Sequence, residues 1–210
     1  TGTEQYGALS YKPGFAINPL KFVNGIARYA LSKKLKIYNH TLVSKIEKNN
    51  NSYTLRSSEG SVNTKKIVVA TNGFYQEGLV PQMNSRILPV ISNIIVTRKL
   101  SKNEIDLHNF KTYSPIMNTK NLLYYYRKLP DNRILFGTRG DFIGSDQSNF
   151  NRSKKMEKFF KNIFPDWSKI SIDYSWRGFI AMSQKLTPSI GKIENEEIYY
   201  GFGYHGVGVS

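Results

Sequence analysis

Glycines at 201, 203, 206 and 208 punctuate the last stretch of this 210-residue chain, which runs from Glu197 to Ser210. Gly201, Gly203 and Gly206 fit G-x-G-x-x-G, the spacing of a dinucleotide-binding turn. Glycine there permits positive φ and close approach of a ligand to the backbone. Backbone N–H groups in such a loop can hold a phosphate or a carbonyl oxygen. The apolar run Ile198-Tyr199-Tyr200 supplies the strand that the pattern requires, and no helix follows it within the sequence. A second chemical cluster is Tyr124-Tyr125-Tyr126-Arg127, in which alternation puts Tyr124 and Tyr126 on one strand face and Tyr125 on the other. A third is Thr71-Asn72-Gly73, directly after the wholly apolar Ile67-Val68-Val69-Ala70.

The elements that position these groups follow from pattern. Asn18-Pro19 reads as cap and first turn of a helix, with Phe22, Ile26, Tyr29 and Ala30 at helical spacing. Leu35–Tyr38 reads as a short strand, and Leu42–Lys48, Tyr53–Ser57 and Ser61–Lys65 as three more, separated by turn residues. Ile67–Ala70 reads as a strand buried on both faces of a parallel sheet, whose C-terminal end is where ligands bind in α/β folds. From Pro81 the character changes. Ile87–Arg98 is a long β-branched strand. Ser101 and Glu104 form a capping-box pattern, and Leu122–Arg127 with Arg133–Thr138 makes a hairpin. Ser148–Phe164 is an amphipathic helix stopped by Pro165, and Ile170–Met182 is another strand. The fold class is therefore α/β plus α+β. One domain (residues 1–80, resumed at 186–210), partial and Rossmann-like on the resemblance given below, has an antiparallel or mixed sheet domain (81–185) inserted into it or interleaved with it.

The formal net charge is +15. Lysines outnumber arginines, whereas phosphate readers favour the guanidinium fork, and the basic clusters are short: Lys33-Lys34, Lys65-Lys66, Lys154-Lys155. The charge is read as a solvated surface, with no nucleic acid as partner; a basic nucleic-acid-binding module is the rival reading. There is no cysteine, which excludes disulfides and thiolate metal sites and fits a reducing, cytoplasmic compartment. No apolar run reaches the length of a membrane span. His40 and His108 lie in polar stretches without a partner at ligand spacing; they read as exposed histidines, and no metal site is expected. The chain begins at Thr1 rather than Met and reads as part of a longer protein.

Five stretches, in order, resemble the FAD-dependent amine and amino-acid oxidoreductases of the D-amino-acid-oxidase superfamily. They are Gly14-Phe15-Ala16-Ile17-Asn18-Pro19, Thr41–Ile46, Ile67–Gly73, the Tyr125–Gly137 hairpin, and the closing run Trp176-Arg177-Gly178, Pro188–Gly191 and Gly201–Gly208. The hairpin is similar to that of the γ-glutamylputrescine oxidase branch. The resemblance implies FAD as cofactor and a sheet domain that covers the flavin. It also implies hydride transfer from a C–H beside an amine to flavin N5, giving an imine. The substrate would be a small amine, and oxygen or another electron acceptor would complete the cycle. On this resemblance the primary phosphate-binding turn lies before Thr1, and Gly201–Gly208 is a second loop near the isoalloxazine.

Residue roles follow from the resemblance. Val43 would meet the adenine through its backbone, or be an ordinary strand valine. Ala70, Thr71, Asn72 and Gly73 would pass the adenosine-diphosphate moiety, or simply end a strand. Gly203, Tyr204, His205, Gly206, Val207 and Gly208 would line the flavin, their N–H groups stabilising negative charge on it. Tyr124, Tyr126 and His205 are the catalytic candidates. Tyr126, Trp176 and Ile180 are the substrate-pocket candidates, with sheet packing the competing role for the tyrosines and core packing for Trp176. Arg127 would reach an anionic group or pair with Asp131. Glycine-oxidase-like members carry Arg where Ile180 stands; Ile cannot hold a carboxylate, which points away from a simple α-amino acid.

Overall fold

The computed structural model describes residues 7–12, 15–120, 123–141, 146–206 and 208. It divides into two compact units, one comprising Ile17–Pro89 with Ile180 onward, the other Val90–Phe179 with the described residues before Ile17.

The Ile17–Pro89 unit opens with α1 (Pro19–Ser32). Asn18 Oδ1 accepts the Lys21 N–H at 3.0 Å, and Pro19 occupies the first turn, where its missing N–H costs nothing. A three-stranded antiparallel meander follows: β1 (Lys45–Asn49), β2 (Ser52–Ser57) and β3 (Gly60–Thr64). A second small sheet places β11 (Ile198–Phe202) between β10 (Ser189–Lys192), which is antiparallel to it, and β4 (Ile67–Val69), which is parallel. The core gathers Tyr53, Ile67, Val69, Val80, Met83, Ile193, Ile198 and Phe202. Tyr53 joins the two sheets: its hydroxyl donates to Glu196 Oε2 at 2.6 Å and accepts the Glu197 N–H at 2.9 Å. That carboxylate partner, with burial, holds the Tyr53 phenol above its ordinary pKa.

Three expectations change here. Residues 35–38 are not a strand; a strand needs a hydrogen-bonded neighbour, and none among the described residues pairs with them. Val68 is 71% exposed, so β4 is covered on one face only, the face of Ile67 and Val69. The apolar stripe of α1 (Phe22, Ile26, Tyr29) is exposed as well, and the helix buries no residue.

The other unit is built on a five-stranded sheet. Its strands are β5 (Leu88–Thr97), β6 (Ile116–Met117), β7 (Tyr124–Lys128), β8 (Ile134–Asp141) and β9 (Ile172–Met182), in the order β6-β7-β8-β5-β9. The β7–β8 hairpin turns through Leu129–Asn132. The short helix α2 (Lys102–Leu107) carries the full capping box between Ser101 and Glu104. α3 (Asp146–Ile163) ends two residues before Pro165. It seats Met156 and Phe160 in an aromatic core with Phe164, Trp167, Phe110, Tyr126 and Phe136. The Phe164 and Trp167 rings stack at 4.8 Å, and Tyr126 meets Phe164 edge-on at 5.3 Å. Each such pair adds about 1 kcal/mol beyond its buried area. Trp167 Nε1–H donates to the Glu104 carbonyl at 2.7 Å, so the buried indole keeps a partner.

His108 is not the exposed histidine that its polar neighbours suggest. Its ring packs edge-on against Trp167 at 4.5 Å, and burial pushes its pKa below the ordinary value. Asp131 pairs with Arg133 rather than Arg127, at 3.2 Å, because both lie at the hairpin turn; Arg133 also holds Asp173 at 2.6 Å.

Candidate cofactor edge and tyrosine face

Parallel pairing of β4 and β11 brings two of the sequence-marked loops to one edge. Ile67 is opposite Ile198, and Val69 is opposite Tyr200. Both strands therefore end on the same side, with Ala70–Gly73 leaving one and Gly203–Gly208 the other. Asn72 ties them: its Oδ1 accepts the Gly203 N–H at 3.0 Å. Asn72 has φ 47° and Gly203 φ 74°, left-handed conformations that asparagine and glycine tolerate best. A Cβ on Gly203 would lie 3.0 Å from the Ser183 Cβ.

The loop uses part of its own hydrogen-bonding capacity. Besides Gly203 N–H, the His205 N–H is taken by the Ala181 carbonyl at 3.1 Å. The His205 ring is buried and folds back onto the segment after β9. Its Nε2 lies 3.2 Å from Ser183 Oγ and accepts the Ser183 N–H at 3.4 Å, while Nδ1 lies 3.2 Å from Met182 Sδ. Both ring nitrogens are engaged inside the unit, so His205 clamps the loop, and the catalytic expectation for it is corrected. Tyr204 packs across its own glycines: a Cβ on Gly201 would sit 2.5 Å from the Tyr204 hydroxyl, and one on Gly208 2.8 Å from its Cβ. Those two glycines make room for Tyr204. Val207 lies outside the described residues. Val43 is half-buried just before β1, where Ser44 N–H begins the ladder to Arg56 O at 2.8 Å. Among the described residues nothing bonds to the Val43 backbone.

In the sheet of the other unit, strand phase separates the three tyrosines. Tyr124 and Tyr126 lie on the face packed under α3. Tyr126 is 2% exposed, and Tyr124 stacks on Phe136 at 5.5 Å and tilts against Phe159 at 5.1 Å. A side chain sealed in the core cannot touch substrate, so the expectation for Tyr126 is corrected to packing. Tyr124 likewise spends its ring on α3. Tyr125 points to the opposite face. It lies over Gly137, where a Cβ would be 2.3 Å from the ring, and its hydroxyl is 2.7 Å from Ser92 Oγ on β5. Burial raises the Tyr125 pKa, while the Ser92 hydrogen bond and the charge of Arg139 pull it down. Trp176 is 47% exposed on β9, so it is not a core tryptophan; Trp167 fills that role. Ile180 is half-buried near the end of β9.

Ser92 and Arg139 were not singled out by sequence. The available signal was Ser92-Asn93, two polar residues interrupting an apolar strand, since a buried polar group must find a partner. Among the described residues no group of three or more His, Asp or Glu could hold a metal, and no helix is long and apolar enough to cross a membrane.

A fold with a ligand edge on one unit and a tyrosine-lined sheet in the other accords with what the chain resembles. Residues 2–210 match the FAD dependent oxidoreductase (DAO) family, and the chain belongs to it. It is 29% identical over 204 residues to gamma-glutamylputrescine oxidoreductase of Escherichia coli, covering 97% of this chain and 47% of that relative. It is 29% identical over 199 residues to the probable oxidoreductase OrdL of Haemophilus influenzae, covering 92% of this chain and 44% of that relative. The chain thus spans a little under half the length of these relatives. Among solved structures, L-proline dehydrogenase from P. horikoshii superposes with TM-score 0.73 at 20% identity, over 90% of this chain and 51% of that one. Glycine oxidase from Geobacillus kaustophilus gives 0.70 at 17% identity, over 89% and 48%. The family is FAD-dependent, and the two tied loops fit such a cofactor: glycine- and asparagine-rich backbone at adjacent C-terminal strand ends offers a ligand close approach.

Proposed function

We propose that the full-length protein oxidises a C–N bond of an amine with FAD, yielding an imine. The observation that supports this reading is the Asn72–Gly203 tether, which joins the loops leaving β4 and β11. FAD, when bound, supplies the hydride acceptor. The chain's own contribution is positional. Val43, Ala70, Thr71, Asn72 and Gly73 would contact the adenosine-diphosphate moiety. Gly203, Tyr204, Gly206, Val207 and Gly208 would border the flavin, with Asn72 and His205 fixing the loop from behind. Tyr125, on the sheet face away from α3, replaces Tyr124 and Tyr126 as the tyrosine offered to substrate. Trp176 and Ile180, both on β9, are proposed as apolar substrate-contacting residues.

A γ-glutamylputrescine-like amine is the favoured substrate, since a relative bears that name and Ile180 offers no cation for an α-carboxylate. The test is anaerobic mixing of purified full-length protein with γ-glutamylputrescine, glycine and proline in turn, following bleaching of the flavin absorbance. Bleaching by γ-glutamylputrescine first supports the reading. A full-length protein that neither carries nor binds FAD would sink it. Preferential bleaching by glycine or proline would keep the enzyme class and overturn the substrate.

A further inference from the structure

We propose that Ser92 is a positioning residue: its hydroxyl donates to the Tyr125 oxygen and so turns the Tyr125 O–H outward, as a donor to an oxygen acceptor on the substrate. This rests on the amine-oxidoreductase reading above.

The geometry is specific. Tyr125 sits on β7 and Ser92 on β5, with β8 between them. The phenol can cross β8 only because Gly137, directly opposite Tyr125, has no side chain; a Cβ there would lie 2.3 Å from ring carbons and 2.6 Å from the hydroxyl. On the far side Ser92 Oγ stands 2.7 Å from that hydroxyl. The β5–β8 ladder slips its register between Ile91 and Ser92, a device that re-aims side chains.

Two features set the direction of the hydrogen bond. The other acceptor for Ser92 is the Thr138 carbonyl at 3.4 Å, at the outer limit of a hydrogen bond. The serine proton is therefore better used on Tyr125, at 2.7 Å. Ser92 is 9% exposed, which leaves its hydroxyl little access to bulk water. Burial keeps the Tyr125 phenol protonated, which makes it a donor at neutral pH. Arg139, opposite Ser92 across the ladder, places a positive charge near the same hydroxyl and favours an electron-rich acceptor there.

The test uses the full-length flavoprotein and follows flavin reduction by its amine substrate. Ser92→Ala is expected to lower kcat/KM about tenfold, as a rise in KM, with FAD content unchanged. Ser92→Thr keeps a hydroxyl and should restore most of the loss. Tyr125→Phe should lose at least as much, and the double variant no more than Tyr125→Phe alone. A wild-type KM in Ser92→Ala, or additive losses in the double variant, would overturn the proposal while flavin reduction by the wild type upholds the function. A second measurement follows the Tyr125 phenol by NMR of ring-labelled protein. The Ser92 hydrogen bond lowers its pKa, so Ser92→Ala should move the titration to higher pH. If no amine or amino acid reduces the wild-type flavin, the functional reading fails, and an unmoved phenol titration would then dismiss the Ser92 contact too.

Discussion

α1 and α3 are both amphipathic, yet one ends sealed and the other bare. α3 presses Met156 and Phe160 to 0% exposure against the sheet. α1 shows Leu20, Phe22, Val23, Ile26, Tyr29 and Leu31 to solvent. The same contrast divides the strands, since β5 is buried along most of its length while β4 leaves Val68 uncovered. Periodicity announces which face of an element seeks burial; it does not say what will provide it. In the Val90–Phe179 unit α3 covers one face of the sheet, although Tyr174, Trp176 and Phe179 on β9 stay exposed. In the other, α1 and the Val68 face carry apolar surface that nothing among the described residues covers.

Five measurements would break or sharpen that contrast. The largest effect is expected from Phe160→Ala, which empties a fully buried site and should cost about 3–5 kcal/mol in denaturant unfolding of the chain. Next is Gly137→Ala, which forces a Cβ into the Tyr125 ring and should cost about 1–3 kcal/mol. Adding Tyr125→Ala should relieve most of that strain, whereas Tyr125→Phe should not, because the ring remains. Asn72→Ala removes the acceptor for Gly203 N–H and should cost about 1 kcal/mol. Asn72→Gly, which keeps the left-handed turn, separates the lost hydrogen bond from backbone strain, and FAD affinity of the full-length protein should fall in both.

The fourth measurement is a pH profile. Glu104 is held down to about 2, chiefly by the Arg98 guanidinium at 2.6 Å and by the Ser101 backbone N–H. A depressed carboxylate stabilises the fold above its ordinary pKa, and that contribution is lost as pH falls from about 4.5 towards 2. Glu104→Gln should flatten the acid limb in that window, by no more than about 1 kcal/mol for so exposed a pair. The smallest effect is Phe22→Ala on α1, expected within about 0.5 kcal/mol in this chain. A cost near that of Phe160→Ala would mean that α1 is covered after all, and the contrast would fall.

Local chemistry was legible in the sequence where a few neighbouring residues decide it. Asn18 caps α1, Ser101 and Glu104 close the capping box, Pro165 stops α3, and the Leu129–Asn132 turn sets the hairpin. Alternation correctly separated Tyr125 from Tyr124 and Tyr126. It could not say which face α3 would cover, because that depends on a helix some twenty residues further along, so the packing of Tyr124 and Tyr126 under α3 was not legible. Ser92 meets Tyr125 across 33 positions of sequence, and no local pattern encodes such a contact. The fate of His205 was hidden for the same reason. Its neighbours Gly203 and Gly206 suggest a ligand loop, while its ring answers to Met182 and Ser183 on another segment. Residues 35–38 have strand composition, but composition cannot supply the missing ladder partner.

The glycine–tyrosine contacts bear on how the chain can change over time. Gly137 faces Tyr125 across β7 and β8, and Gly191 faces Tyr200 across β10 and β11. In each pair a Cβ on the glycine would fall within 2.6 Å of the partner's side chain. Neither member can drift alone: enlarging the glycine collides with the ring, and shrinking the tyrosine opens a gap over bare backbone. Each pair is thus expected to change only as a couple: a homologue that lacks one of these tyrosines should carry a side chain at the facing glycine.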